Sequence, residues 1–175
     1  MPGKKIDIIE ICSSAMWAVD QTLKTMANIE MNSMPVLRRE EVFKLVVTSS
    51  QDTFTSIIEF QQAFTQEKPV KGGIVFYLSR SNVGNLFKGT LGLDMNSSEA
   101  EIKDVCGEFC NVMSGCFKRE AFALGYEDIK LLSPKNYFSS INLDLDIKAI
   151  CKYRFSFSKE EKALLIMDVF AEGSV

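Results

Sequence analysis

The stretch that most restricts this chain begins at Ser98. Glu101 follows three residues later, the spacing at which a serine hydroxyl and a glutamate carboxylate cap each other's backbone amides at a helix start. Ile102, Val105, Cys106, Phe109, Val112, Met113, Cys116 and Phe117 come next. At about 100° per residue they fill one contiguous sector of a helix. The spacing predicts a long helix that ends before Gly125. Such a helix must lay its apolar sector on another layer, and the tail of the chain supplies strands to build one. Ala149, Cys151, Tyr153, Phe155 and Phe157 alternate with Lys148, Lys152, Arg154 and Ser156, and Ile150 alone breaks the pattern. Residues 163–170 form a final apolar strand, and 127–132 an earlier one stopped by Pro134.

The front of the chain has a similar plan. Ile8, Ile9, Cys12, Met16, Val19, Leu23 and Met26 mark the buried face of a first helix from Asp7 to about Ala27. Pro35 bars its simple continuation. Residues 42–47, 56–61 and 72–78 are short, rich in β-branched and aromatic side chains, and read as three strands. Residues 81–88 read as a short helix closed by Gly89 or Gly92, and 31–41 and 136–145 as the longest loops. Gly72-Gly73 is too short to cradle a phosphate and reads as a turn. The order is helix, three strands, short helix, long helix, three strands, which looks like two diverged copies of one unit. We expect residues 1–175 to form one α+β domain, an antiparallel sheet with two long helices packed on it and an internal pseudo-twofold repeat.

Composition removes several chemistries. The chain contains no histidine, which excludes serine–histidine triads, cysteine–histidine dyads and histidine-ligated zinc. A net charge of −3 with interspersed signs offers no electrostatic footprint for nucleic acid. No stretch reaches the roughly 18 uncharged residues that would span a bilayer. Asp7 and Glu10 interrupt the apolar run a secretory leader would need, so none is expected. Five cysteines without paired spacing read as reduced thiols in the cytoplasm. Cys106 and Cys110, one turn apart among Val105 and Phe109, read as core packing rather than a metal pair. Trp17, beside the first helix's apolar face, reads as packing.

Opposite the long helix's apolar sector lies a second line. Asp104, Glu108, Asn111, Gly115 and Lys118 are spaced by four, three, four and three residues, so they share one exposed face. An ordinary solvated face accounts for Asp104, Glu108 and Lys118. It accounts less well for Asn111, a mediocre helix former, and for Gly115, since an interior glycine costs about 1 kcal/mol relative to alanine. Two unfavourable choices on one line point to a contact surface.

That line resembles a known signature. Asp104, Glu108 and Asn111, trailed by Val112-Met113-Ser114-Gly115, are similar to the D-x3-E-x2-N motif of the CheX, CheC and FliY chemotaxis phosphatases. Residues 23–30 are similar to the end of the first helix in CheX-type members, and the layout of 71–170 also fits. The resemblance implies a phosphatase that hydrolyses the aspartyl phosphate of a CheY-type response regulator. Glu108 would pair with a lysine of the regulator's active site, and Asn111 would orient the attacking water. Asp104, Gly115 and Lys118 would lie in the partner-binding surface. No cofactor is implied in this chain, the magnesium ion being the regulator's own. A homodimer, without nucleic-acid or membrane partners, is implied too.

The first helix offers Glu10 but Ser13 where a second asparagine would stand, so one site per chain is expected. After Gly115 the family often has asparagine, whereas this chain has Cys116. The alternative reading is a binding module that docks a receiver domain, or a flagellar or signalling partner, and hydrolyses nothing.

Overall fold

The computed structural model describes residues 4–63 and 68–173. The first helix, α1 (Ile8–Ala27), starts where the Asp7 carboxylate accepts from the Ile9 amide, and stops at Asn28 in the left-handed conformation. Four strands follow, β1 (Val36–Glu41), β2 (Val46–Ser49), β3 (Thr53–Gln62) and β4 (Val70–Ser79). Two helices come next, α2 (Arg80–Leu91), closed by Gly92, and α3 (Glu99–Ala123). The tail contributes β5 (Ile129–Leu131), β6 (Lys135–Phe138), β7 (Ile141–Asp144), β8 (Cys151–Lys159) and β9 (Lys162–Ala171).

All strand pairs are antiparallel. The main sheet runs β1-β8-β9-β4-β3-β5, with β6 also on β3, and a separate ribbon pairs β2 with β7. Exchanging α1 with α3, β1 with β5 and β6, β2 with β7, β3 with β8, and β4 with β9 reproduces this pattern. The internal pseudo-twofold axis therefore passes between β4 and β9, and each half lends its first sheet strand to the other. Among the described residues only α2, between the halves, lacks a counterpart.

Three layers result. The helices cover one face of the main sheet, where Phe54, Phe60, Phe76, Phe109, Phe117 and Phe155 are almost completely buried. On the other face the ribbon closes a smaller core around Leu45, Val47, Ile57, Val75 and Phe170. The Ser98–Glu101 capping box forms as expected. Its contribution of about 1 kcal/mol is smaller than the roughly 3–5 kcal/mol that truncating one buried phenylalanine costs, so packing rather than capping holds α3.

Five expectations need correction. Residues 31–41 are not one loop, because β1 occupies Val36–Glu41; as an edge strand paired only with β8 it needs no apolar alternation, and Arg38, Arg39 and Glu41 stay exposed. The strand expected at 42–47 starts at Val46 and continues to Ser49, with residues 42–45 leading into it. Residues 136–145 are not one loop: β6 runs into them from Lys135 and β7 lies within them, four residues each and too short for their pattern to stand out. Gly72 and Gly73 lie inside β4 rather than in a turn. Each faces a ring across the sheet: a β-carbon at Gly72 would fall 2.3 Å from the Phe60 ring, and one at Gly73 2.7 Å from that of Phe170. The strand expected from Lys148 begins at Cys151, which is why exposed Ile150 broke the alternation.

Candidate functional site

α3 buries Ile102, Cys106, Phe109, Cys110, Met113, Phe117 and Ala121 against the sheet and α1. Helical geometry then turns Asp104, Glu108, Asn111, Gly115 and Lys118 outward, and all five are exposed. Among the described residues, the side chains of Asp104, Glu108, Asn111 and Lys118 make no hydrogen bond or ion pair. Asp104 and Glu108 are the only acids of the ridge, and no third thiol or carboxylate joins them in a metal-sized cluster among the described residues.

Asn111 stands between two glycines, Gly107 one turn before it and Gly115 one turn after. Neither is demanded by the chain's own packing. A β-carbon at Gly115 would meet nothing within 4 Å, and one at Gly107 would meet only the Asn136 Nδ2, at an ordinary 3.5 Å. Each glycine weakens the helix by about 1 kcal/mol relative to alanine. The result is a carboxamide raised between two bare patches of helix backbone, a shape that admits close approach by another molecule.

The missed strand β6 brings Asn136 to this ridge. Asn136 pairs with Ser56 of β3 in the sheet register, and the Ser56 hydroxyl donates to Asn136 Oδ1 at 2.7 Å. The buried Cys110 thiol, pushed up to about 12 by loss of water around it, also hydrogen-bonds Ser56. Asn136 itself remains exposed. Nothing in the sequence pointed to it, because its neighbour in space is fixed by a four-residue edge strand.

Cys106 and Cys110 are both fully buried, as core residues. Cys116 is half-buried, with the Arg119 Nη2 3.8 Å from its sulfur. Beyond Gly115 and Lys118 the ridge runs into an open pocket of about 330 Å³, also lined by Arg119, Phe122 and Tyr126, where Phe122 is 60% exposed. Trp17 is half-buried on α1, its ring centroid 5.5 Å from the Arg119 guanidinium. Glu10 accepts from the Tyr126 hydroxyl and is ion-paired to Lys4. The Lys4 ammonium, then the Tyr126 hydroxyl, hold its carboxyl below the usual range.

No family model matches the chain, and no curated protein matches it. Its fold is that of CheC-like and CheX chemotaxis proteins. The CheX crystal structure from Desulfovibrio desulfuricans covers 93% of this chain and 99% of its own, with a TM-score of 0.68 at 18% identity. CheX from Vibrio vulnificus matches with the same coverage, TM-score and identity. A CheC-like superfamily protein from Shewanella sp. PV-4 covers 94% of this chain and 99% of its own, with a TM-score of 0.66 at 18% identity.

Proposed function

We propose that this CheX-like chain is a phosphatase acting on the aspartyl phosphate of a CheY-type receiver domain. One observation carries the reading: Glu108 and Asn111 project together, without partners of their own, from an exposed helix ridge with a bare backbone patch a turn to either side of Asn111. Groups that are idle in the free chain are available to another molecule's reaction centre.

The chemistry asks little of the chain. An acyl phosphate is already activated, and its charge lies on peripheral oxygens that the receiver's magnesium and lysine neutralise. Water must be held in line behind phosphorus. Its oxygen bonds to phosphorus while the bond to the aspartyl oxygen breaks, the carboxylate leaves with the electron pair, and the water's proton passes to the phosphate product or to solvent. Asn111 can accept from that water and donate to a phosphoryl oxygen without titrating. This is positioning catalysis, and it needs neither nucleophile nor histidine. Glu108 supplies a carboxylate for the receiver's lysine, with Asp104, Gly115 and Lys118 in the docking surface. In the same reading the protein works in the cytoplasm as a homodimer, a second copy adding along edge strand β1, where Val36 and Leu37 are 68% and 56% exposed.

The test is phosphate release from an acetyl-phosphate-charged receiver domain with magnesium, with and without this protein. Acceleration that disappears in Asn111→Ala supports the phosphatase. Complex formation without acceleration establishes a binding module instead.

A further inference from the structure

Asn136 lies outside the motif, on a different element, yet its carboxamide is fixed beside the ridge. Its oxygen is occupied: Ser56 Oγ donates to Oδ1 at 2.7 Å, and Ser56 is in turn held between β3 and the Cys110 thiol of α3. That bond sets which way the amide faces and leaves Nδ2 as a pure donor, with no hydrogen bond among the described residues. Nδ2 sits 3.5 Å from the place where a Gly107 β-carbon would be, one helical turn before Asn111. With glycine there, no side chain at position 107 covers it.

We infer that Asn136 is a second amide of the same surface, donating from Nδ2 to an acceptor oxygen on the docked receiver domain. The separation decides its role. Positions four apart on a helix have β-carbons about 5–6 Å apart, so a donor resting against Gly107 stands one helical turn from Asn111 and meets the docked receiver beside the group that Asn111 serves. Its acceptor is therefore on the receiver's chain next to the phosphorylation site. The contact should strengthen docking without taking part in the hydrolytic step. Gly107 then has a reason to be glycine, because alanine would fit but would lie over the donor. This rests on the proposed receiver-domain reading and adds a specificity residue to it.

The experiment separates the two claims by measuring binding and hydrolysis independently. The probe is a single-domain receiver of the host, held in its active form by beryllofluoride and titrated against the full chain. Asn136→Asp keeps an acceptor for Ser56 and removes the donor, and Gly107→Ala covers it while leaving Asn136 intact. Each should weaken binding on the order of fivefold, the net worth of one neutral hydrogen bond. In the phosphate-release assay each should raise KM with kcat unchanged, whereas Asn111→Ala lowers kcat. Thermal unfolding of both variants controls for a merely structural effect, and Gly107→Ala should not lower Tm. Unchanged affinity in Asn136→Asp, or a loss confined to kcat, overturns the inference. Receiver binding without hydrolysis removes only the phosphatase reading, and Asn136 is still decided by the titration.

Discussion

The two long helices are related by the internal twofold, and their outer faces carry the same spacing. Glu10, Ser13, Trp17 and Asp20 on α1 stand where Glu108, Asn111, Gly115 and Lys118 stand on α3. Their situations differ. Glu10 is tied to Tyr126 and Lys4, Trp17 lies under Arg119, and Asp20 pairs with Lys24 at 3.4 Å. The two helices pack antiparallel, so Arg119 and Tyr126, which engage Trp17 and Glu10, come from the far end of α3 and the turn after it. One ridge thus helps to fasten α1 to α3, while its counterpart keeps the same kinds of group unengaged. A carboxylate at a given helical position is not evidence of function; whether its own chain already satisfies it is the useful question.

The largest effect should come from the position where the ridges differ most in chemistry. Asn111→Ala should slow stimulated phosphate release by on the order of 100-fold, since losing the group that places the water forfeits in-line geometry. Ser13→Ala should leave it unchanged. Equal losses at the two sites would erase the distinction between the helices.

The two glutamates should give opposite readouts. Glu108→Ala is expected to weaken receiver binding about tenfold, less so at high salt, with Tm unaffected. Glu10→Gln should leave binding alone and lower stability by about 1 kcal/mol, through a weakened hydrogen bond and a lost ion pair at a partly exposed site. The acid behaviour follows in sign. Glu10 has a carboxyl held below the usual glutamate range, so its contribution is fully present above that range and is lost as pH falls through the lower folded value. Glu10→Gln should therefore show a smaller loss of stability between neutral pH and acid than the parent in a urea-unfolding series. A parent and variant that run parallel throughout would show that Glu10 is not a fastening group.

The same contrast explains what the sequence could and could not convey. The α3 ridge was legible because helical periodicity is set locally: once the apolar sector from Ile102 to Phe117 is placed, the opposite face follows. The cores of β3, β4, β8 and β9 were legible for the related reason that strands buried on both faces or alternating strongly leave a compositional mark. β1 was not, since an edge strand such as Val36–Glu41 can be mostly charged and expose its apolar residues too. Nor was β6, whose four residues acquire meaning only through register with Ser56. The Gly72-Gly73 pair misled in the opposite way, its missing side chains making room for Phe60 and Phe170 across the sheet rather than forming a turn. The engagement of Glu10 was invisible as well, because Tyr126 is 116 residues away along the chain.

The smallest effect separates stability from function at one atom. Trp17 and Gly115 occupy equivalent places, and only the first is filled by packing. Gly115→Ala meets nothing within 4 Å, so it should simply strengthen α3 by about 1 kcal/mol, raising Tm by roughly 2–4 °C in a chain of this size. A methyl group one turn beyond Asn111 should nevertheless hold an approaching receiver away from the helix and weaken binding severalfold. Stabilisation with loss of binding is the signature of a glycine kept for a partner, since a residue that served the fold would lose both together. If Gly115→Ala raises Tm and binds as tightly as the parent, the bare patch beyond Asn111 is incidental, and the docking surface must lie towards Glu108 and Asp104 instead.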